Sequence, residues 1–289
     1  MTTAGSPQSN PQDGSTSSQR EPDRSALAAD DHQRGLVEVA AQVHALQRPS
    51  SMLLRVVLDI GTAAADPTWA QPNVAVRVNF VDDEPVSRVY TVRDADLAAR
   101  QVSIDVVQHG ASSPMMRWSE RIGVGDEVRL IGPRPHFRVP EAADPALLFA
   151  DDSGIPALYE ILRAWPQDRA GTVFVASDDD AAVAELDGGP AVQITRLAAG
   201  TDALIRAAIS IEQAQSQVVW AAGERDEMKL LRRHFRNEVG LGKDQVAIFG
   251  YWKRGTSSAE IDKVRLATYN ELLAAGKTIA DLDDLSLSI

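Results

Sequence analysis

Between residues 35 and 142, apolar and polar positions alternate in short runs. LLRVVLDI, NVAVRVNFV, SRVYTVR, VSIDVVQH and DEVRLIGP each carry this period and are separated by Gly, Pro and Asp turns. Many short alternating runs at this spacing predict the strands of an antiparallel barrel. One segment, ASSPMMRWSERIGVGD, breaks the rhythm. Ser113 suits a helix N-cap, Pro114 suits the first helical position, and Met115, Trp118 and Ile122 recur on one helical face. A short helix opening on Ser-Ser-Pro presents backbone N–H groups to phosphate oxygens, and it can also plug one end of a barrel.

From about residue 143 to 252 the pattern changes. ALLFA is a continuous apolar run, as a strand covered on both faces requires. It leads into DDSGIPALYEILRAW, a turn feeding a helix with Leu158, Ile161, Leu162 and Trp165 on its inner stripe. The runs TVFVAS, VQITRL, QVVWAAGE and QVAIFGYW follow, with helical stretches such as DEMKLLRRHFRNEVG between them. This βαβ rhythm predicts a parallel sheet with ligands at the carboxyl ends of its strands. The expected division is a disordered tail over 1–33, a barrel domain over 34–142, an α/β domain over 143–256, and a helix with an acidic tail over 257–289. The tail expectation rests on composition: the first 33 residues lack aromatics and are rich in Ser, Pro, Asp and Gln, too little apolar surface to offset ordering entropy.

Composition narrows the chemistry. With 29 Lys+Arg against 41 Asp+Glu, the net charge of −12 argues against nucleic-acid or anionic-membrane partners. The chain has no cysteine, which removes disulfides, thiolate catalysis and Cys-ligated iron–sulfur clusters. Five scattered histidines form no metal-binding pair, so no metal site is expected. Redox chemistry would have to run through a bound organic cofactor. No apolar run is long enough to span a bilayer, and no apolar signal core opens the sequence, so a cytoplasmic location is the expectation. A monomer is expected as well.

The stretch PVSRVYTVR, Pro85 to Arg93, holds two arginines around a Tyr-Thr pair. In an extended strand Arg88 and Tyr90 share one face. Two readings stand at this point: a barrel strand with a surface arginine and a half-buried tyrosine, or a strand that stacks a planar ring on Tyr90 and grips an anionic tail with Arg88.

Further motifs follow in order: VVQHGASSPMMRW, then GVGDEVRLIGPRPHF, then ADDSGIPA (Ala150 to Ala157), WAAGE (Trp220 to Glu224) and GYWKRG (Gly250 to Gly255). Together with Arg-x-Tyr-Thr-x-Arg these resemble the siderophore-interacting proteins, a ferredoxin-reductase-like family of FAD-dependent ferric-siderophore reductases. The likeness covers roughly residues 35 to 256. It implies an antiparallel Greek-key FAD-binding barrel followed by a parallel-sheet nucleotide-binding domain. It implies FAD contacts at Arg88, Tyr90, Thr91, Arg93, His109 and the Ser112–Ser113 turn. It also implies NADH or NADPH as electron donor near Asp151, Ser153, Gly223 and Glu224. Two departures stand out: ASSP replaces the family's Gly-Pro-Ala after His-Gly, and the acidic turn has Asp152 in place of Glu and lacks the leading Gly.

Several residues keep a plain alternative beside the functional one. His109 at a strand end suits a structural hydrogen bond, and Asp151–Asp152 suits a helix N-cap. Arg138, Lys253 and Arg254, with Trp252 beside them, are either solvated turn residues or the cationic contacts that a bulky anionic ferric siderophore needs near the flavin edge. No catalytic side chain is required, because outer-sphere electron transfer asks only for close approach. Two other functions also fit parts of this pattern: an NAD(P)H:flavin oxidoreductase with another acceptor, and a non-catalytic ferric-siderophore-binding protein.

Overall fold

The alternating runs pair as the side chains of a barrel demand. A computed structural model describes Met1 and residues 36–81, 85–108, 113–136, 145–212 and 217–256. The expectations for 1–33 and 257–289, and for His109, Ser112 and Arg138, lie outside the described residues. Six antiparallel strands, β1 (Val37–Ser50), β2 (Leu53–Asp59), β3 (Val74–Val81), β4 (Pro85–Asp96), β5 (Gln101–Val107) and β6 (Glu127–Pro135), close in the order β1-β2-β5-β4-β3-β6. This is a Greek-key barrel. One phase of each strand fills it: Leu54, Val56 and Leu58 from β2, Val76 and Val78 from β3, Ile104 and Val106 from β5, and Leu130 from β6 are all at most 1% exposed. Each such large side chain contributes about 1.5–3 kcal/mol by leaving water.

The five quoted runs match β2 to β6. The longest strand, β1, was not among them. Its inward positions are Val39, Ala41 and Val43, and its outward positions include Glu38, Ala40 and Gln42, so its apolar contrast is weak. Helix α1 (Pro114–Arg121) forms where the sequence predicts it. The Ser113 hydroxyl accepts from Met116 N at 3.3 Å, and Met115, Met116, Trp118 and Ile122 sink into the barrel core, Trp118 lying against Phe80.

Behind the barrel, β7 (Ala146–Asp151), β8 (Gly171–Ala176), β9 (Val192–Leu197), β10 (Val218–Glu224) and β11 (Val246–Trp252) form a parallel sheet in the order β11-β10-β7-β8-β9. Helices α2 (Ile155–Arg163), α3 (Asp180–Ala184), α4 (Ala203–Ile209) and α5 (Arg225–Arg233) complete the lobe. Strand β7 shows why its run reads as unbroken apolar. Ala146, Leu148 and Ala150 pack with Leu158, Ile161 and Trp165 of the α2 layer, while Leu147 and Phe149 pack with Leu204, Met228 and Phe235 of the opposite layer. Both faces are covered. Among the described residues no helix is long and apolar enough to cross a membrane.

The strand order places the ligand crevice. The chain runs β7 to β8 to β9 on one side, then crosses to β10 and β11 on the other, so the switch point lies between the carboxyl ends of β7 and β10.

Candidate functional site

Strand β4 supplies the first half of the site. Arg88 and Tyr90 are half-buried and flank the outward Val89, which is 52% exposed, as their shared face requires. Burial pushes the Tyr90 phenol well above its usual range, against the pull of the Arg88 charge. The Arg88 guanidinium donates to Ser87 O at 2.8 Å. Thr91 is buried, and its side chain neighbours the hydroxyl of Tyr251 near the end of β11. Burial holds that phenol at about 12. Its oxygen is buried and has no hydrogen bond of full geometry. His136, just past β6, stacks on Phe249 of β11, with ring centroids 5.9 Å apart. Strand β4 therefore meets the carboxyl end of the parallel sheet. A buried phenol oxygen whose neighbour is the Thr91 side chain, beside a half-buried tyrosine and an arginine, fits a planar group with polar edges and an anionic tail.

The second half is the β7/β10 crevice, and Asp151 closes it. Its Oδ1 accepts from Ser153 N at 2.9 Å and Ser153 Oγ at 2.6 Å. Its Oδ2 accepts from Glu224 N at 2.8 Å and Trp252 Nε1 at 2.7 Å. Burial raises the Asp151 carboxyl while these donors hold it down. Three strand ends are thus tied by one carboxylate. Two glycines make the approach possible: a Cβ on Gly154 would lie 2.6 Å from Ala222 O, and one on Gly223 would lie 2.8 Å from the Asp151 carboxylate. Glu224 caps α5, its Oε2 accepting from Asp226 N and Glu227 N, and its Oε1 accepts from Arg254 N.

The structure therefore gathers Asp151, Ser153, Gly223, Glu224 and Trp252 in one place, but it commits the two carboxylates to backbone, hydroxyl and indole donors. Lys253 and Arg254 turn toward this crevice. Lys253 Nζ lies 3.8 Å from Asp226, and Arg254 Nη1 donates to Thr201 Oγ1 at 2.8 Å. Trp252 remains 39% exposed.

Arg93 is redirected as well. Its side chain is 3% exposed, its Nη2 lies 2.6 Å from Glu185, its Nε lies 3.1 Å from Asp105, and its guanidinium stacks 3.2 Å above the Tyr159 ring centroid. An arginine so enclosed ties two lobes together and does not present its fork to a phosphate. The physical reason is local: Arg93 is on the outward phase of β4, and α2 covers that phase. Sequence reading missed Tyr251 and the Arg55–Asp105–Glu185 group. A tyrosine directly before the flagged Trp252 was a usable signal for the first. Nothing in one strand announces the second.

Comparison with known proteins decides the family. The chain matches the siderophore-interacting FAD-binding domain over residues 63–137 and the siderophore-interacting protein domain over 143–255. It is 35% identical over 272 residues to the ferric acinetobactin reductase of Acinetobacter baumannii, spanning 91% of this chain and 94% of that one. The chain belongs to the siderophore-interacting protein family. Among solved structures, the siderophore-interacting protein from Acinetobacter baumannii superposes with a TM-score of 0.77 at 34% identity, covering 83% of this chain and 99% of that one. The ferredoxin reductase of carbazole 1,9a-dioxygenase superposes at 0.57 with 14% identity, covering 75% of this chain and 70% of that one, and shares the fold alone. Because the FAD-binding match takes in β3 to β6 and α1, the barrel is the FAD lobe of a flavoprotein oxidoreductase. In this siderophore-interacting protein the Arg88-Tyr90-Thr91 strand lies within that match.

Proposed function

We propose that this protein reduces ferric siderophores in the cytoplasm, drawing electrons from NADH or NADPH through FAD, and so frees iron as Fe(II). The observation that carries the reading is the seam where Tyr251, near the carboxyl end of β11, meets Thr91 on β4. A donor bound at the sheet's carboxyl end would lie next to β4, the strand of Arg88, Tyr90 and Thr91. The name of the relative from Acinetobacter baumannii, a ferric acinetobactin reductase, supports the same substrate class.

When bound, FAD supplies the chemistry: it accepts an electron pair as hydride from the nicotinamide and releases electrons singly to Fe(III). The chain's residues bind and orient. Arg88 holds the pyrophosphate, Tyr90 covers the ring, and Thr91 places a hydroxyl and backbone N–H at the ring edge. The α1 turn at Ser113 offers N–H groups to phosphate; roles for Ser112 and His109, which lie outside the described residues, rest on the resemblance alone. On the donor side, Ser153 and Gly223 shape the crevice floor, while Asp151 and Glu224 hold the loops that form it. Arg254 and Lys253 serve the donor's phosphates from the rim of the same crevice, and the exposed Trp252 serves the siderophore; a siderophore role for Arg138, outside the described residues, rests on the resemblance alone. The iron needs no ligand from the protein, because reduction weakens the grip of hard oxygen donors on the metal.

Arg88→Ala is expected to lower FAD affinity roughly 10- to 100-fold, since a hydrogen bond to a charged group contributes about 1.5–3 kcal/mol. Fluorescence titration of FAD into the stripped protein reads this directly. An unchanged dissociation constant would remove Arg88 from the cofactor site.

A further inference from the structure

The two lobes meet through a buried charge cluster whose members have no cofactor or donor role in the reading above. Arg55 on β2 and Asp105 on β5 are cross-strand partners. Arg55 Nε donates to Asp105 Oδ1 at 2.8 Å and Arg55 Nη2 to Asp105 Oδ2 at 3.0 Å. Arg93 on β4 lies 3.1 Å from the same carboxylate. The barrel thus presents two guanidiniums fixed by a single carboxylate, an excess positive charge on its outer wall. The other lobe contributes the missing charge: Glu185, at the end of α3, accepts from Arg55 at 3.1 and 2.8 Å and from Arg93 at 2.6 Å. Burial alone would raise the Glu185 carboxyl, but the two arginines hold it below its usual range.

The cluster's position gives it a further role. Arg93 shares β4 with the cofactor residues. At about 3.3 Å per residue it stands about 7 Å from Thr91. The same guanidinium lies over Tyr159 of α2, the helix that starts at the Ser153–Gly154 turn of the donor crevice. Arg163 of α2 also pairs with Asp94 of β4, and Ser50 of β1 bonds Asp179 at the start of α3. These contacts join β4, which carries the proposed flavin residues, to α2, which follows the turn of the proposed donor crevice. Hydride transfer needs reacting atoms about 3–3.5 Å apart, and a misplacement of about 1 Å can cost about 100-fold.

We infer that Glu185 is a positioning residue for donor-dependent reduction: its carboxylate, shared by Arg55 and Arg93, sets the spacing between the cofactor strand and the donor crevice. The inference rests on the nicotinamide reading above. Glu185 is not among the residues assigned above to cofactor or donor, and at 31% exposed it is the most accessible member of the cluster, so Glu185→Ala is expected to cost less stability than the loss of Asp105.

The test separates the two half-reactions in the FAD-loaded full chain. With Glu185→Ala, the anaerobic rate of flavin reduction at saturating NADH or NADPH is expected to fall tenfold or more, about what a sub-ångström loss of alignment costs. FAD stoichiometry, and the rate at which light-reduced protein is reoxidised by a ferric siderophore, are expected to stay at wild-type values. A second readout does not depend on the donor. The chain has no cysteine, so Glu127→Cys and Ser210→Cys carry spin labels cleanly, one on each lobe. Pulsed dipolar spectroscopy is expected to show a broader interlobe distance distribution when Glu185→Ala is added. An unchanged reduction rate overturns the inference, and so does an equal loss in both half-reactions. If wild-type protein is reduced by neither nicotinamide, the donor reading fails; the distance distribution then judges the clamp, and a distribution unchanged by Glu185→Ala overturns it.

Discussion

Asp105→Asn is expected to destabilise the protein by about 3–5 kcal/mol, the range for removing one partner from a buried ion pair. Asp105 is 1% exposed at its side chain and faces two arginines at once. The amide keeps the volume but loses the charge and places N–H donors against guanidinium donors. Arg93, at 3% exposed, cannot turn to water for compensation. Glu185 would then have to neutralise both arginines from a more exposed position. Urea unfolding of wild type and variant, with equal slopes, measures the difference. A loss under about 1 kcal/mol, the median for a surface pair, would mean that the cluster is solvated and the lobes are held by packing.

Gly154→Ala is expected to cost about 1–3 kcal/mol, the range for forcing an extra methyl into a filled space. The new Cβ would sit 2.6 Å from Ala222 O and 3.1 Å from the Ala150 Cβ. The first obstacle is backbone, so rotation of a flexible side chain cannot relieve it. The crevice ends of β7 and β10 must separate, which stretches the Asp151 bonds to Ser153 and Glu224. Stability falls, and donor affinity falls with it, while FAD content is expected to hold because the barrel is untouched. Thermal unfolding and FAD content read together check this. A Gly154→Ala protein with wild-type stability would show that the turn is looser than its contacts imply.

The parts of this fold that were legible in the sequence are those whose period is local. The barrel strands β2 to β6 alternate cleanly because one face meets the core and the other meets water or polar groups. Strand β7 reads as a block because helices cover both of its faces. Helix α1 was visible from Ser113 and Pro114 before any packing was known. Strand β1 was less visible, since alanine at position 41 contrasts poorly with alanine at position 40.

The candidate site could be read where its residues are neighbours in sequence. Arg88, Tyr90 and Thr91 lie on one strand, and Asp151 and Ser153 lie in one turn. The cluster of Arg55, Arg93, Asp105 and Glu185 was not visible, because its members come from β2, β4, β5 and the end of α3. Each looks like an ordinary outward charge until the second lobe covers it. The same covering took Arg93 away from its expected phosphate role. Lys253 and Arg254 read as siderophore contacts from their charge and their place beside Trp252; their bonds to Asp226, Thr201 and Glu224, which come from other parts of the lobe, could not be read there.

The most direct test is an anaerobic titration of the purified, FAD-loaded protein. The account predicts that NADH or NADPH bleaches the flavin absorbance, and that adding a ferric siderophore restores it while a ferrous chelator captures the iron. Protein that takes up no FAD, or whose reduced flavin is not reoxidised by any ferric siderophore, would contradict it.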